Sequence, residues 1–225
     1  VVQGATVLEA VGDAVEADAP YTAIRPIVAA LLERVPLDDS IPGASITASA
    51  SITTSQVLEP TDRPAPLAGD PELEGRAPLL EAVVPHGVAD NEFTAGLSGE
   101  ARAAALHALV ATLLRRRADA RPVLVLLDAV NWFDSASLSL ARAPARSVAG
   151  VLFAFAARPN DNGLPAELAE LRREDDSLAL ELDGLDDAGI ALLLSRCLKV
   201  QPERVPPPLT ATIRERTDGN PLFIE

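Results

Sequence analysis

Five aliphatic residues in succession, Val123-Leu124-Val125-Leu126-Leu127, run straight into an acid, Asp128. A strand with one wet face alternates apolar and polar side chains. An unbroken run like this one reads instead as a parallel strand covered on both faces. Parallel strands need crossover connections, which points the chain towards an α/β architecture with helices flanking the sheet. Open sheets of that kind place their ligands beyond the carboxyl ends of the strands, so Asp128 falls at the mouth of the expected site. An Asp that simply closes the strand in a turn is the competing reading. Residues 150–157, GVLFAFAA, form a second buried strand that ends at Arg158-Pro159, and VLEAV at 7–11 forms a short third one.

Helical periodicity fills the intervals. Ile24, Ile27, Val28, Leu31 and Leu32 share one face of a helix within 20–35, where Pro26 marks a kink or a late start. Residues 100–117 give the clearest helix, with Leu106, Leu109, Val110, Leu113 and Leu114 as its stripe and Ser98 as candidate N-cap. Arg115-Arg116-Arg117 complement the dipole at its end, a phosphate-binding role being the alternative. SASLSLARAPARS at 135–147 predicts a helix weakened by Pro144, and LPAELAELRRE at 164–174 a surface helix. Leu178, Leu180 and Leu182 alternate as a final strand. From Asp183 the pattern is helical again, and Cys197 shares a face with Ile190, Leu193, Leu194 and Leu198, as a small buried hydrophobe would. Gly219-Asn220-Pro221 reads as a helix-ending glycine, an N-cap and a first-turn proline. Residues 36–78 are rich in Ser, Thr, Ala and Pro and predict a long surface insertion, with a partner-binding lid as its functional alternative.

Composition excludes several classes. With 48% hydrophobic but only 3% aromatic residues, the core must be aliphatic. A net charge of -14 argues against direct contact with nucleic acid, which needs clustered cations, and against an anionic membrane surface. No apolar run reaches the ~18 residues of a membrane span. A single cysteine suits a reducing, cytoplasmic setting. His86 and His107 have no partner at metal-ligand spacing, and no G-x-S-x-G elbow occurs. Lys199 is the only lysine, so no Gly-rich loop ending in Lys-Ser/Thr is present to cradle phosphates.

The residues after Asp128 carry a more specific signal. Asn131-Trp132-Phe133-Asp134-Ser135-Ala136-Ser137-Leu138 resembles the DD-x-HWAD-x-ASL segment of STAND-type AAA ATPases, the P-loop signalling ATPases associated with adenylate/guanylate cyclases and bacterial transcription regulators. GDAVEADAPYTAIRPI and RAPLLEAVVPHGVADNEFTAGLSGEAR resemble the same branch, the latter its RAPLLNAVLPLGLPDNELTAQLSGEVR pattern. The resemblance implies a parallel P-loop-type sheet over 1–183 and the start of a helical lid over 184–225. The Walker A strand and helix would lie upstream of residue 1. Their absence would leave a gap beside the Arg158 strand and a poorly stable fragment. The resemblance further implies that Asp128 holds Mg²⁺ as the Walker B acid and that Arg158 senses the terminal phosphate of ATP. Gly219, Asn220 and Pro221, as the family's G-x-P turn, would border the adenine. The implied role is an ATP-driven switch for an output domain in the same full-length chain, either cyclase or DNA-binding, with nucleotide-dependent oligomerisation. Two positions depart from the pattern: the family's second acid falls on Ala129 and its His on Asn131. With the P-loop missing as well, they imply weak hydrolysis, and they favour the rival expectation of a non-catalytic interaction scaffold. Asp134 is the one nearby acid left to replace the lost one. A chance likeness to an unrelated α/β domain is the third reading, and it would leave Asp128 and Arg158 far apart.

Overall fold

Three parallel strands, β1 (Thr6–Val11), β2 (Val123–Asp128) and β3 (Val151–Phe155), form one sheet in the order β1-β2-β3. The register is continuous, with Thr6 opposite Val123 and Val123 opposite Val151. The computed structural model describes residues 4–15, 19–33, 67, 69–158, 164–174 and 176–224. The chain divides into two units, Val1–Glu174 and Asp175–Glu225, somewhat before the 183/184 boundary expected from sequence.

In the first unit, α1 (Arg25–Leu32) leads from β1 towards α2 (Pro71–Arg76), a 3₁₀ turn (Ala77–Ala82), α3 (Glu92–Ala95) and the long α4 (Gly99–Ala120) that feeds β2. After β2, α5 (Ser135–Ala145) returns the chain to β3, and α6 (Ala166–Leu171) follows. α4 lies against α1, α5, β2 and β3, and its five-residue stripe, Leu106 to Leu114, is fully buried. Pro26 acts as a late start, sitting in the first turn of α1, where its missing N–H costs nothing. Pro144 stays inside the last turn of α5 without ending it.

Arg117 does more than complement its own helix. Its guanidinium donates to the carbonyls of Ala30 (3.0 Å), Leu31 (3.4 Å) and Glu33 (3.3 Å), the end groups of α1 that have no partner within that helix. Arg116 pairs with Asp70, whose carboxyl is held below the usual carboxylate range chiefly by that hydrogen bond.

Several sequence expectations need correction. Coverage of β2 on both faces is only half right: Val123, Val125 and Leu127 are buried, whereas Leu124 and Leu126 are half-buried. Two crossovers stepping the same way along a sheet put their helices on one face when both have the usual right hand, and the burial follows that arrangement. β3, like β1, is an edge strand among the described residues, and its Leu152 is 66% exposed. Of the stretch 36–78, residues 36–66 and 68 lie outside the described residues. The remainder is not a surface tract. Leu67 is buried, and Asp70 caps α2 by accepting from Glu72 N–H and Leu73 N–H, which seats Leu73 in the core.

The second unit consists of α7 (Asp187–Leu198), α8 (Pro207–Thr217) and α9 (Pro221–Ile224) around Ile190, Leu194 and Val205. Leu178, Leu180 and Leu182 form no strand. They are 84%, 77% and 95% exposed on irregular chain. Alternation marks a strand only where a neighbouring strand takes up its backbone groups, and none does here among the described residues. Cys197 is exposed, because only Ile190 and Leu194 of the expected apolar set on α7 are buried. Among the described residues no helix is long and apolar enough to cross a membrane.

Candidate functional site

Asp128 ends β2, and Arg158 stands three residues beyond the end of β3, on the neighbouring strand. The two exits are tied by main-chain bonds. Ala156 N–H donates to the Leu127 carbonyl at 2.8 Å, and Val130 N–H donates to the Ala156 carbonyl at 3.0 Å. Asn131 bridges onward, its side-chain oxygen lying 3.4 Å from the Arg158 backbone N–H that donates to it. Asp128 and Arg158 therefore share one hollow of about 480 Å³, lined also by Gly12, Asp13, Asn131 and Trp132. Its position at the carboxyl ends of parallel strands is the usual ligand position in open α/β sheets.

Asp128 is exposed, and one of its carboxylate oxygens accepts from the Ala129 N–H at 2.7 Å. Ala129 itself adopts left-handed backbone (φ 52°), which costs a non-glycine residue about 1 kcal/mol. That conformation turns the chain sharply out of β2, so that Trp132 stands at the rim, 47% exposed. Arg158 is solvent-exposed and in no ion pair among the described residues.

Two residues of the site were not visible in sequence. Gly12 N–H donates to the Asp128 carbonyl at 2.9 Å, extending the β1–β2 ladder past its last pair. A Cβ on Gly12 would overlap the Ala129 carbonyl oxygen and lie 2.9 Å from the Phe133 ring. Only glycine allows this approach, which brings Asp13 to the hollow. The GDAV pattern after a short strand was the available signal, but it gave no hint of the partner.

Asp134 does not replace the missing acid. It is buried as the N-cap of α5, accepting from Ser137 N–H (2.8 Å), the Ser137 hydroxyl (2.5 Å) and Tyr21 N–H (3.0 Å). Ser137 in turn accepts from Ile24 N–H at 3.2 Å, so the pair fastens the entry of α1 to the entry of α5. Burial, and then the Asp134 charge, push the Tyr21 phenol above its ordinary pKa.

The Gly219–Pro221 turn belongs to the second unit. Asp218 (φ 52°) ends α8 in left-handed backbone, Gly219 follows at φ 70°, and the Asn220 side chain accepts from Leu222 N–H at 3.0 Å as N-cap of α9. Gly219 presses against Gly184 and Leu185, its carbonyl accepting from Leu185 N–H at 2.8 Å. The structural part of the sequence reading, a helix-ending glycine followed by an N-cap and a first-turn proline, holds.

Comparison with known proteins returns no matching family model, no matching curated protein and no matching solved structure. The functional reading therefore rests on the geometry of the hollow and on the sequence resemblance.

Proposed function

We propose that the hollow at the carboxyl ends of β2 and β3 binds the phosphate end of a nucleotide with its Mg²⁺. On this reading the chain is the ATP-binding switch module of a larger signalling or regulatory protein, and a cyclase or DNA-binding output domain remains an expectation of the resemblance. The observation that carries it is the placement of one acid and one guanidinium, Asp128 and Arg158, at neighbouring strand ends around a single hollow. Its volume falls within the ~300–1,000 Å³ typical of small-molecule sites.

The donor set fits the metal. Asp128 presents one carboxylate oxygen beyond the one engaged by Ala129, and Mg²⁺ is typically bound through one or two carboxylates, the remaining positions going to water and phosphate. When bound, the cation would neutralise phosphate charge; Arg158 would add a planar cationic donor for the terminal oxygens. Asn131 would hold the Arg158 backbone in place.

One observation favours a second reading, a binding module without hydrolysis. Ala129 carries no group to orient water, and Asp134 is consumed as a cap. Titration with Mg-ATP, followed by the fluorescence of Trp132 at the rim, separates the two from an empty scaffold. Saturable binding weakened by Asp128→Asn and Arg158→Gln supports a nucleotide site, and phosphate release then tells switch from passive binder. No response at millimolar Mg-ATP leaves the interaction scaffold standing and removes the nucleotide reading.

A further inference from the structure

The hollow contains a second carboxylate that the reading above leaves unused. Asp13 lines it together with Asp128. Its placement follows from the backbone. β1 stays bonded to β2 through Gly12, and the contact of Gly12 with the Ala129 carbonyl delivers the next side chain to the rim at the Asp128–Ala129 corner. One Asp13 oxygen accepts from Val15 N–H at 2.8 Å, which fixes the direction of the side chain. The other has no partner among the described residues. Asp128 is engaged in the same way, by one N–H on one oxygen.

Arg158, on the strand beyond β2, is the one cationic side chain among the described lining residues, so the lining keeps an excess of one negative charge. We propose that Asp13 and Asp128 together hold, through its water shell, the divalent cation of this site, with Asp13 reaching it from just beyond the end of β1. The inference rests on the reading of the hollow as a metal-phosphate site. Asp13 is a positioning residue, acting through the water bound to the cation. It escapes a motif search because it follows a different strand, more than a hundred residues from Asp128 in sequence.

The test is a Tb³⁺ titration of the whole chain, terbium being an oxygen-seeking probe that emits when an indole close by is excited. Trp132 is the only tryptophan and lines the hollow, so emission excited through indole reports this site and not the many acids elsewhere. Emission is expected to saturate, to be displaced by Mg²⁺, and to require about tenfold or more Tb³⁺ for half-saturation in both Asp13→Asn and Asp128→Asn. If Asp128→Asn weakens the response and Asp13→Asn does not, Asp13 has no part and only this inference falls. If neither variant changes it, or no saturable emission occurs, the hollow is not a cation site and the reading beneath falls as well. Asp13 is exposed, so urea unfolding should not change in Asp13→Asn. If it does, Asp13→Glu decides: restored emission supports the assignment, and unrestored emission overturns it.

Discussion

Asp134→Ala puts the assignment of that acid to architecture, and not to chemistry, at risk. The carboxylate accepts three hydrogen bonds, two from Ser137 and one from Tyr21. Loss of the α5 cap costs roughly 1 kcal/mol. The Ser137 hydroxyl and the part-buried Tyr21 N–H lose their acceptor, at about 1 kcal/mol each. The expected destabilisation is therefore roughly 3 kcal/mol, against less than about 0.5 kcal/mol for Asp128→Ala at its exposed position. Asp134→Asn keeps one acceptor oxygen for the two N–H groups and should cost about 1 kcal/mol. Urea unfolding monitored by Trp132 reads both. At about 2 kcal/mol per molar urea, the midpoint of Asp134→Ala falls by roughly 1.5 M. A second readout is independent of stability. Burial and then the Asp134 charge raise the pKa of Tyr21, the only tyrosine, so tyrosinate absorbance in Asp134→Asn should titrate at lower pH than in the parent while staying above the ordinary value. An Asp134→Ala variant within about 0.5 kcal/mol of the parent would refute the capping argument.

Gly12→Ala places a methyl group against the Ala129 carbonyl and the Phe133 ring, contacts that backbone cannot yield cheaply. The cost should be about 1–3 kcal/mol, with a changed Trp132 emission in the folded state, and an unchanged unfolding midpoint would show that β1 can leave the turn freely. His107, half-buried on α4, has its pKa lowered from 6.5 by burial. The unfolded chain then takes up the proton first on acidification. The contribution to stability is complete above about pH 6.5 and is lost as the pH falls through the folded value. His107→Gln should flatten that part of the stability–pH curve, and a parallel curve would show that the imidazole titrates alike in both states.

The elements that were legible in sequence are those whose signal is local. The aliphatic runs at 123–127 and 151–155 and the five-residue stripe of α4 needed no partner to be read. Asp128 and Arg158 were legible for the same reason, since strand ends follow from strands. Composition concealed α2: Asp70-Pro71-Glu72 is a cap, a first-turn proline and a first-turn acid, but it sits at the close of a Ser/Thr/Pro-rich tract. α7 misled because leucines occur on more than one side of it, leaving the periodicity unable to say which side faces inward. The leucines at 178–182 have a strand's alternation and nothing to pair with. Gly12, Asp13 and the Arg117 latch arise from contacts between distant segments, which one-dimensional pattern does not encode.

The wiring of the sheet sets an order of assembly. Val123 meets Val151 across the short span that contains α5, whereas Thr6 reaches Val123 only after most of the first unit has been threaded between them. Loop closure grows costlier with length, so the ladder joining β2 to β3 is the cheaper one to nucleate. The acid of β2 and the guanidinium after β3 then come into register early. The corner built by Gly12 and Asp13 is completed last, when β1 docks. Hydrogen exchange should accordingly report Gly12 N–H as less protected than Ala156 N–H, although both donate to carbonyls of the same central strand.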